Sequence, residues 1–197
     1  GAIIGGADWL LPNNIHHNDR SIVAGSNAEI RFNRIHHTPL AIRATDGMDL
    51  HHNVLYRTGS WNPPTPNGGD PKPAPDRTDF VDILVDDVIG AAITHNTIYA
   101  PTSDAIRLVN GTEETTLNHN IVHVESGYVL SVDVTSENGF ASNYNNFYRS
   151  GDGKLVDWHK DYLDLYNWQV ETGFDGQSIG WTAPHPERDR PGFVDRA

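Results

Sequence analysis

Residues 93–108 read ITHNTIYAPTSDAIRL and contain the unit that repeats along this chain: an Asn, any residue, an apolar residue and then, often, His or Tyr. The unit recurs at Asn13, Asn33, Asn53, Asn96, Asn120 and Asn145. The intervals between these residues are 20, 20, 43, 24 and 25 positions. A repeat of this length is typical of a solenoid, whose coils bury their apolar residues by stacking on one another.

A second apolar segment recurs in phase with the Asn unit, at Ile22-Val23-Ala24, Ile42-Arg43-Ala44, Ile83-Leu84-Val85, Ile106-Arg107-Leu108 and Val129-Leu130-Ser131. Helical spacing of apolar residues is missing through residue 148, so each period is interpreted as two or three short β-strands joined by turns. An Asn at one fixed position predicts a ladder of side-chain amides inside a bend, where each amide bonds the next and pairs buried turn backbone. The pattern therefore predicts an all-β parallel β-helix.

The interval of 43 residues predicts either two coils or one coil with an insertion. Residues 62–79 read NPPTPNGGDPKPAPDRTD, and proline cannot supply the backbone N–H that a strand ladder needs. We interpret residues 58–79 as a long loop that extends from one coil. Loops of this length in a compact domain are often functional.

The pattern changes after Tyr148. Residues 161–172, DYLDLYNWQVET, place aromatic and apolar residues at helical spacing, and Gly173 is a signal for the end of a helix. Because the open end of a β-helix exposes apolar residues and unpaired strand edges, we predict coils over 1–148 and a cap with a short helix over 149–197, in one domain. The start of the chain has no equivalent cap, so we expect a partner chain or further coils at the N-terminal end.

The repeats NNIHHN (13–18), IRFNRIHH (30–37), HHNVLYRTG (51–59), ITHNTIYAPTSDAIRL (93–108) and LNHNIV (117–122) resemble those of secreted right-handed parallel β-helix proteins of the pectate-lyase-like group. YNNFYRSGDGKLV, DLYNWQVETGFDGQSI and PGFVD are similar to the C-terminal ends of many such proteins. The resemblance covers nearly the whole chain and implies a right-handed β-helix, an extracellular or periplasmic location and carbohydrate chemistry. The group includes polysaccharide lyases, glycoside hydrolases, epimerases, phage tailspikes and adhesin-like modules. No catalytic motif of a subfamily is present to transfer.

The composition narrows the classes of partner. The formal net charge is −12 with only 14 Lys and Arg residues, which argues against nucleic acid. It also argues against a highly anionic ligand, unless the few basic residues gather in one groove. No apolar run approaches the ~20 residues that a membrane span requires, so no membrane partner is predicted. Cysteine is absent, which excludes disulfides and cysteine nucleophiles.

Alternation along the second apolar segment suggests a candidate site. If Ile83 and Val85 point inward, and Val129 and Ser131 likewise in their own coil, then Asp82 and Asp86 lie on the outer face. Their neighbours on adjacent coils are then Arg43 and Arg107, which are candidate site residues together with the two aspartates. The two carboxylates would be ~13 Å apart between Cα atoms, which is long even for an inverting glycosidase pair. The alternative to a functional site is a ladder of ion pairs on a solvated face.

A second acidic column falls at the following turn: Ser26, Asp46, Asp87, Asn110 and Asp133. In-register stacking would bring Asp46 and Asp87 to ~5 Å and Asp87 and Asp133 to ~10 Å, distances that bracket those of glycosidase carboxylates. Clustered carboxylates would also suit Ca²⁺. Asp and Asn at turns more often bond their own backbone. We therefore predict no cofactor, with Ca²⁺ as the one ion left open.

Histidines recur at coil spacing as His16-His17, His36-His37 and His51-His52, while His95 and His119 share the column of His52. Such columns could bind a transition metal or titrate together. A zinc site needs three or four convergent ligands, whereas a column rises in one direction. The position after the apolar residue alternates between His and Tyr, which favours stacking of planar rings. We predict stacking and no metal site.

The leading hypothesis is a secreted carbohydrate-active enzyme, either a glycoside hydrolase or a polysaccharide lyase, that cleaves a polysaccharide on the outer face of the coils. The expected acids or bases are Asp82, Asp86 and Asp87, and the expected substrate-binding residues are Arg43, Arg107, Tyr56 and Trp61, the last as part of a stacking loop. The acidic composition favours a neutral or weakly charged glycan. Two alternatives stay open: a non-catalytic glycan-binding or adhesive module, or fragment of a larger assembly, and a metal-dependent enzyme that uses the His columns.

Overall fold

The computed structural model describes residues 2–8, 10–18, 20–44, 47–57, 80–182 and 190–192. Over these ranges the chain is an all-β parallel β-solenoid, and each complete coil contributes one strand to each of three sheets. This confirms the predicted fold class. No helix in these ranges is long and apolar enough to cross a membrane.

The three sheets are named A, B and C in the order in which a coil passes through them. Sheet A contains β1 (Ile3–Gly5), β4 (Glu29–Arg31), β7 (Asp49–His51), β10 (Ala92–Thr94), β13 (Thr116–Asn118) and β16 (Ala141–Asn143). Sheet B contains β2 (Asn13–His16), β5 (Asn33–His36), β8 (Val54–Tyr56), β11 (Thr97–Ala100), β14 (Ile121–Val124), β17 (Asn146–Arg149) and β20 (Ile179–Gly180). Sheet C contains β3 (Arg20–Ala24), β6 (Leu40–Ala44), β9 (Val81–Asp86), β12 (Asp104–Val109), β15 (Tyr128–Val132), β18 (Lys154–Trp158) and β19 (Lys160–Tyr162).

The core consists of columns of aliphatic side chains that rise from coil to coil. Ile35, Leu55, Ile98 and Val122 form the column of sheet B, and Ile42, Ile83, Ile106 and Leu130 form that of sheet C; all are fully buried. Each such side chain contributes about 1.5–3 kcal/mol by leaving water. Each aliphatic side chain packs on the equivalent side chain of the adjacent coil, so each coil depends on its neighbours to bury its apolar surface.

The Asn ladder is present as predicted. The side-chain Nδ2 of Asn53 donates to Oδ1 of Asn96 at 3.0 Å, and that of Asn96 donates to Oδ1 of Asn120 at 3.2 Å. The same Oδ1 of Asn96 also accepts the backbone N–H of Asn53, at 3.0 Å. Because Asn53 stacks directly on Asn96, the long interval is one coil with an insertion. The predicted loop at 58–79 lies outside the described residues.

The predicted orientation of β15 is wrong by one residue. Leu130 and Val132 pair with Ile106 and Leu108, and both are buried, whereas Ser131 lies beside Arg107. Val129 is buried as well, because the second residue of the sheet C strands also joins the core. Two consecutive buried residues interrupt the alternation on which the prediction relied.

The C-terminal segment closes the coil stack. Helix α1 (Leu165–Thr172) begins at Asp164, whose carboxylate accepts two backbone N–H groups, and ends at Gly173 with φ +79°, as the sequence predicted. The helix begins later than residue 161 because β19 pairs antiparallel with β18. Parallel pairing continues past Tyr148 into β18 and β20, so coil structure extends into the segment assigned to the cap.

Candidate functional site

Asp86 and Arg43 meet on the outer face of sheet C, where the sequence placed them. Nη2 of Arg43 donates to Oδ2 of Asp86 at 2.5 Å, and Nδ2 of Asn110 donates to the other carboxylate oxygen at 2.7 Å. Both oxygens of Asp86 therefore have a partner. This geometry matches an ion-pair ladder, in which a carboxylate is already compensated by its neighbours.

Arg107 does not share this ion pair. Its guanidinium binds Asp104 three residues earlier on the same strand, with Nε donating at 3.1 Å and Nη2 donating to the same oxygen. Further along the outer face, Ser131 donates to Oδ2 of Asp157 at 3.2 Å. Arg43 and Arg107 thus each pair with a different carboxylate and do not converge on one site.

Asp82 lies in the core and not on the outer face, so that expectation is wrong. Its side chain is 0% exposed and occupies the row of Ala41 and Ala105, both also fully buried. Its two carboxyl oxygens have no hydrogen-bond partner among the described residues. Burial raises the pKa of Asp82 well above its ordinary value. The charge of Asp104 raises this pKa further, whereas the nearby hydroxyl of Ser103 lowers it. Because it is enclosed in the core, this carboxyl cannot serve as a base at the surface.

Asp87 and Asp133, two described members of the second acidic column, take part in turns. Asp87 is exposed and adopts a positive φ of 57° in its turn. Asp133 accepts the backbone N–H of Asn110 at 2.8 Å and both donors of Thr135. Although partial burial raises the pKa of Asp133, these hydrogen bonds outweigh it and lower the value. Asp46 lies outside the described residues.

The histidines form stacks, as predicted. A corner column next to the Asn ladder contains Phe32, His52, His95, His119 and Tyr144, with successive ring centroids 4.9–5.2 Å apart. The rings of His52, His95 and His119 are nearly parallel, with interplanar angles of 4° and 1° between successive rings. Within the described part of the chain, no group of three or more His, Asp or Glu side chains is arranged to hold a metal ion.

A second column of rings crosses the outer face of sheet B. We call it the aromatic column, and its members are His16, His36, Tyr56, Tyr99, His123 and Tyr148, which share one register position on successive coils. His36 stacks on His16 at 4.9 Å and on Tyr56 at 4.8 Å. The rings of Tyr99 and His123 are 5.3 Å apart, and Tyr148 meets His123 edge-on at 5.0 Å. Six successive coils thus contribute one ring each to this column, and the rings of His123 and Tyr148 are buried.

A groove of about 680 Å³ lies over the middle of the aromatic column, and we call it the sheet B groove. Tyr56, Tyr99 and His123 line it together with the arginines Arg34, Arg57 and Arg190 and the acid Glu125. The hydroxyl of Tyr99 donates to Oε1 of Glu125 at 2.7 Å. The groove therefore combines aromatic faces with cationic side chains, and its one described carboxylate already accepts a hydrogen bond.

Sequence reasoning identified this site only in part. Tyr56 was expected to bind substrate and does line the sheet B groove. Arg43 and Arg107 belong to a different sheet, and Trp61 lies outside the described residues. The alternation of His and Tyr after each Asn unit was the available signal, although it was interpreted only as stacking. Arg190 comes from the C-terminal segment, and no repeat connects it to sheet B.

No protein-family model matches the chain, and no curated protein or solved structure matches it at a significant level. The parallel β-solenoid is established by its own geometry. Membership of the pectate-lyase-like group stays a prediction.

Proposed function

We propose that this protein binds an acidic polysaccharide in the sheet B groove. The observation that carries the proposal is that three arginines gather around the aromatic column of a chain whose net charge is −12. That is the one arrangement under which so acidic a protein suits an anionic ligand. Secretion to an extracellular or periplasmic location belongs to the same proposal, since extended polysaccharides occur there.

The aromatic column supplies the stacking surface. The C–H faces of a sugar ring are apolar and pack against aromatic rings, and Tyr56 and Tyr99 line the groove. Neighbouring coils lie about 4.8 Å apart, so the rings form a strip along the axis of the coil stack, in contact from His16 to Tyr56 and from Tyr99 to Tyr148. A strip of this kind suits an extended polymer better than a compact small molecule.

The arginines account for the preference of the groove for an acidic polymer. A guanidinium presents several N–H donors in one plane and binds a carboxylate or sulfate through two of them. Arg34 lies on β5, Arg57 directly follows β8 of the next coil, and Arg190 belongs to the C-terminal segment. A polymer with a repeated acidic group can therefore contact more than one arginine at once.

A binding panel tests the proposal. We expect polygalacturonate, alginate or heparin to bind in isothermal titration calorimetry, and dextran not to bind. Arg34→Gln and Arg57→Gln should each weaken binding about five- to tenfold, since a charge-assisted hydrogen bond contributes roughly 1–1.5 kcal/mol at such a surface. Arg43→Gln, on sheet C, is the matched control and should leave affinity unchanged. Equal binding of dextran, or an equal loss in the control, contradicts the proposal.

Cleavage of the bound polymer is the second candidate function. The observation that favours it is the Tyr99 and Glu125 pair, which sits in the sheet B groove beside His123 and supplies groups that can give or take a proton. Prolonged incubation with the same panel distinguishes the cases. Hydrolysis releases reducing ends alone, lyase action also produces an ultraviolet-absorbing unsaturated sugar, and a binding module releases neither.

A further inference from the structure

His123 occupies a central place in the sheet B groove. Its side chain is 4% exposed, and its ring lies between Tyr99 on β11 and Tyr148 on β17. Nε2 of His123 is 2.9 Å from Oγ of Ser150, which can accept a hydrogen bond from it or donate one to it. This pairing fixes the orientation of the ring and leaves its protonation to be decided by the charges nearby.

Three influences act on the charge of this imidazole. Burial disfavours the protonated form, Glu125 favours it, and Arg190 disfavours it; together they lower the pKa of His123. Tyr99 and Tyr148 lie on the strands to either side of the imidazole. Arg34 and Arg57 line the same groove and add to its positive potential. The lowered pKa favours the neutral imidazole in the unliganded protein.

We infer that binding of an acidic sugar in the sheet B groove is coupled to the uptake of one proton by His123. The inference rests on the proposed function. A carboxylate that enters the groove pairs with Arg190, which cancels the repulsion that this arginine exerts on the imidazole. The same carboxylate adds an attractive negative charge close to the ring. Both effects favour the imidazolium, so the ligand and the proton bind cooperatively.

The direction of the pH dependence follows by linkage. If ligand binding raises the pKa of His123, affinity increases as pH falls from about 8 toward about 5, the range in which histidines titrate. A rise of one pKa unit corresponds to about a tenfold gain in affinity. Affinity declines again only when the carboxyl groups of the sugar become protonated, at about pH 4 or below.

The test is calorimetry with size-defined oligogalacturonates between about pH 5 and about pH 8. Each titration is repeated in two buffers of different ionisation enthalpy, so that the protons taken up are counted. We expect a fractional proton uptake, largest between the pKa values of the free and the liganded imidazole and smaller at the upper end of this pH range. His123→Tyr places in this coil the ring that Tyr99 and Tyr148 place in the next ones, and it should abolish the uptake and flatten the affinity profile. His123→Gln, which keeps an amide partner for Ser150, should do the same.

Two further variants sharpen the test. His159 pairs with Glu137 outside the groove, so His159→Gln should retain both binding and proton uptake. Arg190→Gln should weaken binding and reduce proton uptake, because the free imidazole then loses the repulsion that the ligand relieves. Absence of oligogalacturonate binding at every pH counts against the proposed function. Binding without proton uptake, or uptake that persists in both His123 variants, overturns the inference and leaves the proposed function standing.

Discussion

Asp82 shows how a single side chain can set a pH dependence of stability. Its pKa is raised in the folded protein by burial, so the stability that it contributes is fully present below the pKa of the unfolded chain, about 3.8. That contribution is lost as pH rises through the raised folded value. The slope can reach about 1.4 kcal/mol per pH unit.

Replacing this carboxyl should remove the slope. Asp82→Ala matches the Ala41 and Ala105 side chains that lie in the same row, and Asp82→Asn keeps the shape without the charge. We expect both variants to exceed the wild type in free energy of unfolding above neutral pH, as measured by urea denaturation over a pH series. Asp87→Asn, an exposed turn position, should follow the wild type. A wild-type curve parallel to those of the Asp82 variants contradicts this account.

The contribution of His36 to stability changes with pH in the opposite direction. Burial, followed by the charges of His37, His16 and His17, lowers the pKa of His36 to about 4. A lowered histidine pKa stabilises the fold above the unfolded value of about 6.5, and this contribution is lost as pH falls toward 4. We expect the thermal midpoint to drop over that interval, and to drop less in His36→Tyr, which copies Tyr56 of the next coil. His159→Gln should behave like the wild type, and an equal drop in His36→Tyr would exclude His36 as the cause.

At the scale of elements, the Asn ladder gives a third stability prediction. In Asn96→Ala the backbone N–H and Nδ2 of Asn53 lose their acceptor, while the carbonyls of Leu50 and Thr94 lose the donor that Asn96 supplied. Each buried polar group left unpaired costs about 1–3 kcal/mol. We expect a loss of roughly 3–5 kcal/mol in the free energy of unfolding. Asn13→Ala, at the exposed start of the ladder, should cost less than about 1 kcal/mol; equal losses would show that the ladder does not stabilise the coils.

The elements could be predicted because stacking repeats one chemical requirement in every coil. The Asn residues, the apolar segments and the helix with its Gly173 end each obey a local rule that a sequence displays. The error at β15 and at Asp82 has a common origin, since strict alternation ignores the second buried position of the sheet C strands. Ala41, Ala105 and Val129 occupy that position, so their shared apolar character was the signal that placed Asp82 inside.

At the scale of the whole molecule, charge is unevenly distributed. The chain carries 26 acidic and 14 basic side chains, yet Arg34, Arg57 and Arg190 meet around one groove. The residues that bring them together are distant in the sequence, and Arg190 belongs to no repeat. A linear pattern cannot place it, which is why the candidate site was only partly foreseen while the fold was foreseen well.

The length of the aromatic column is set by the number of coils that carry a ring. Each of its six coils adds one ring at a fixed pitch, so under the proposed function the footprint on a bound polymer grows in whole steps with the number of coils. Because each coil contacts only its neighbours, duplication or loss of one repeat would change that footprint by one step and leave the chemistry elsewhere intact. Under the proposed function, a change in the number of repeats therefore changes the length of polymer that is bound and requires no new binding site.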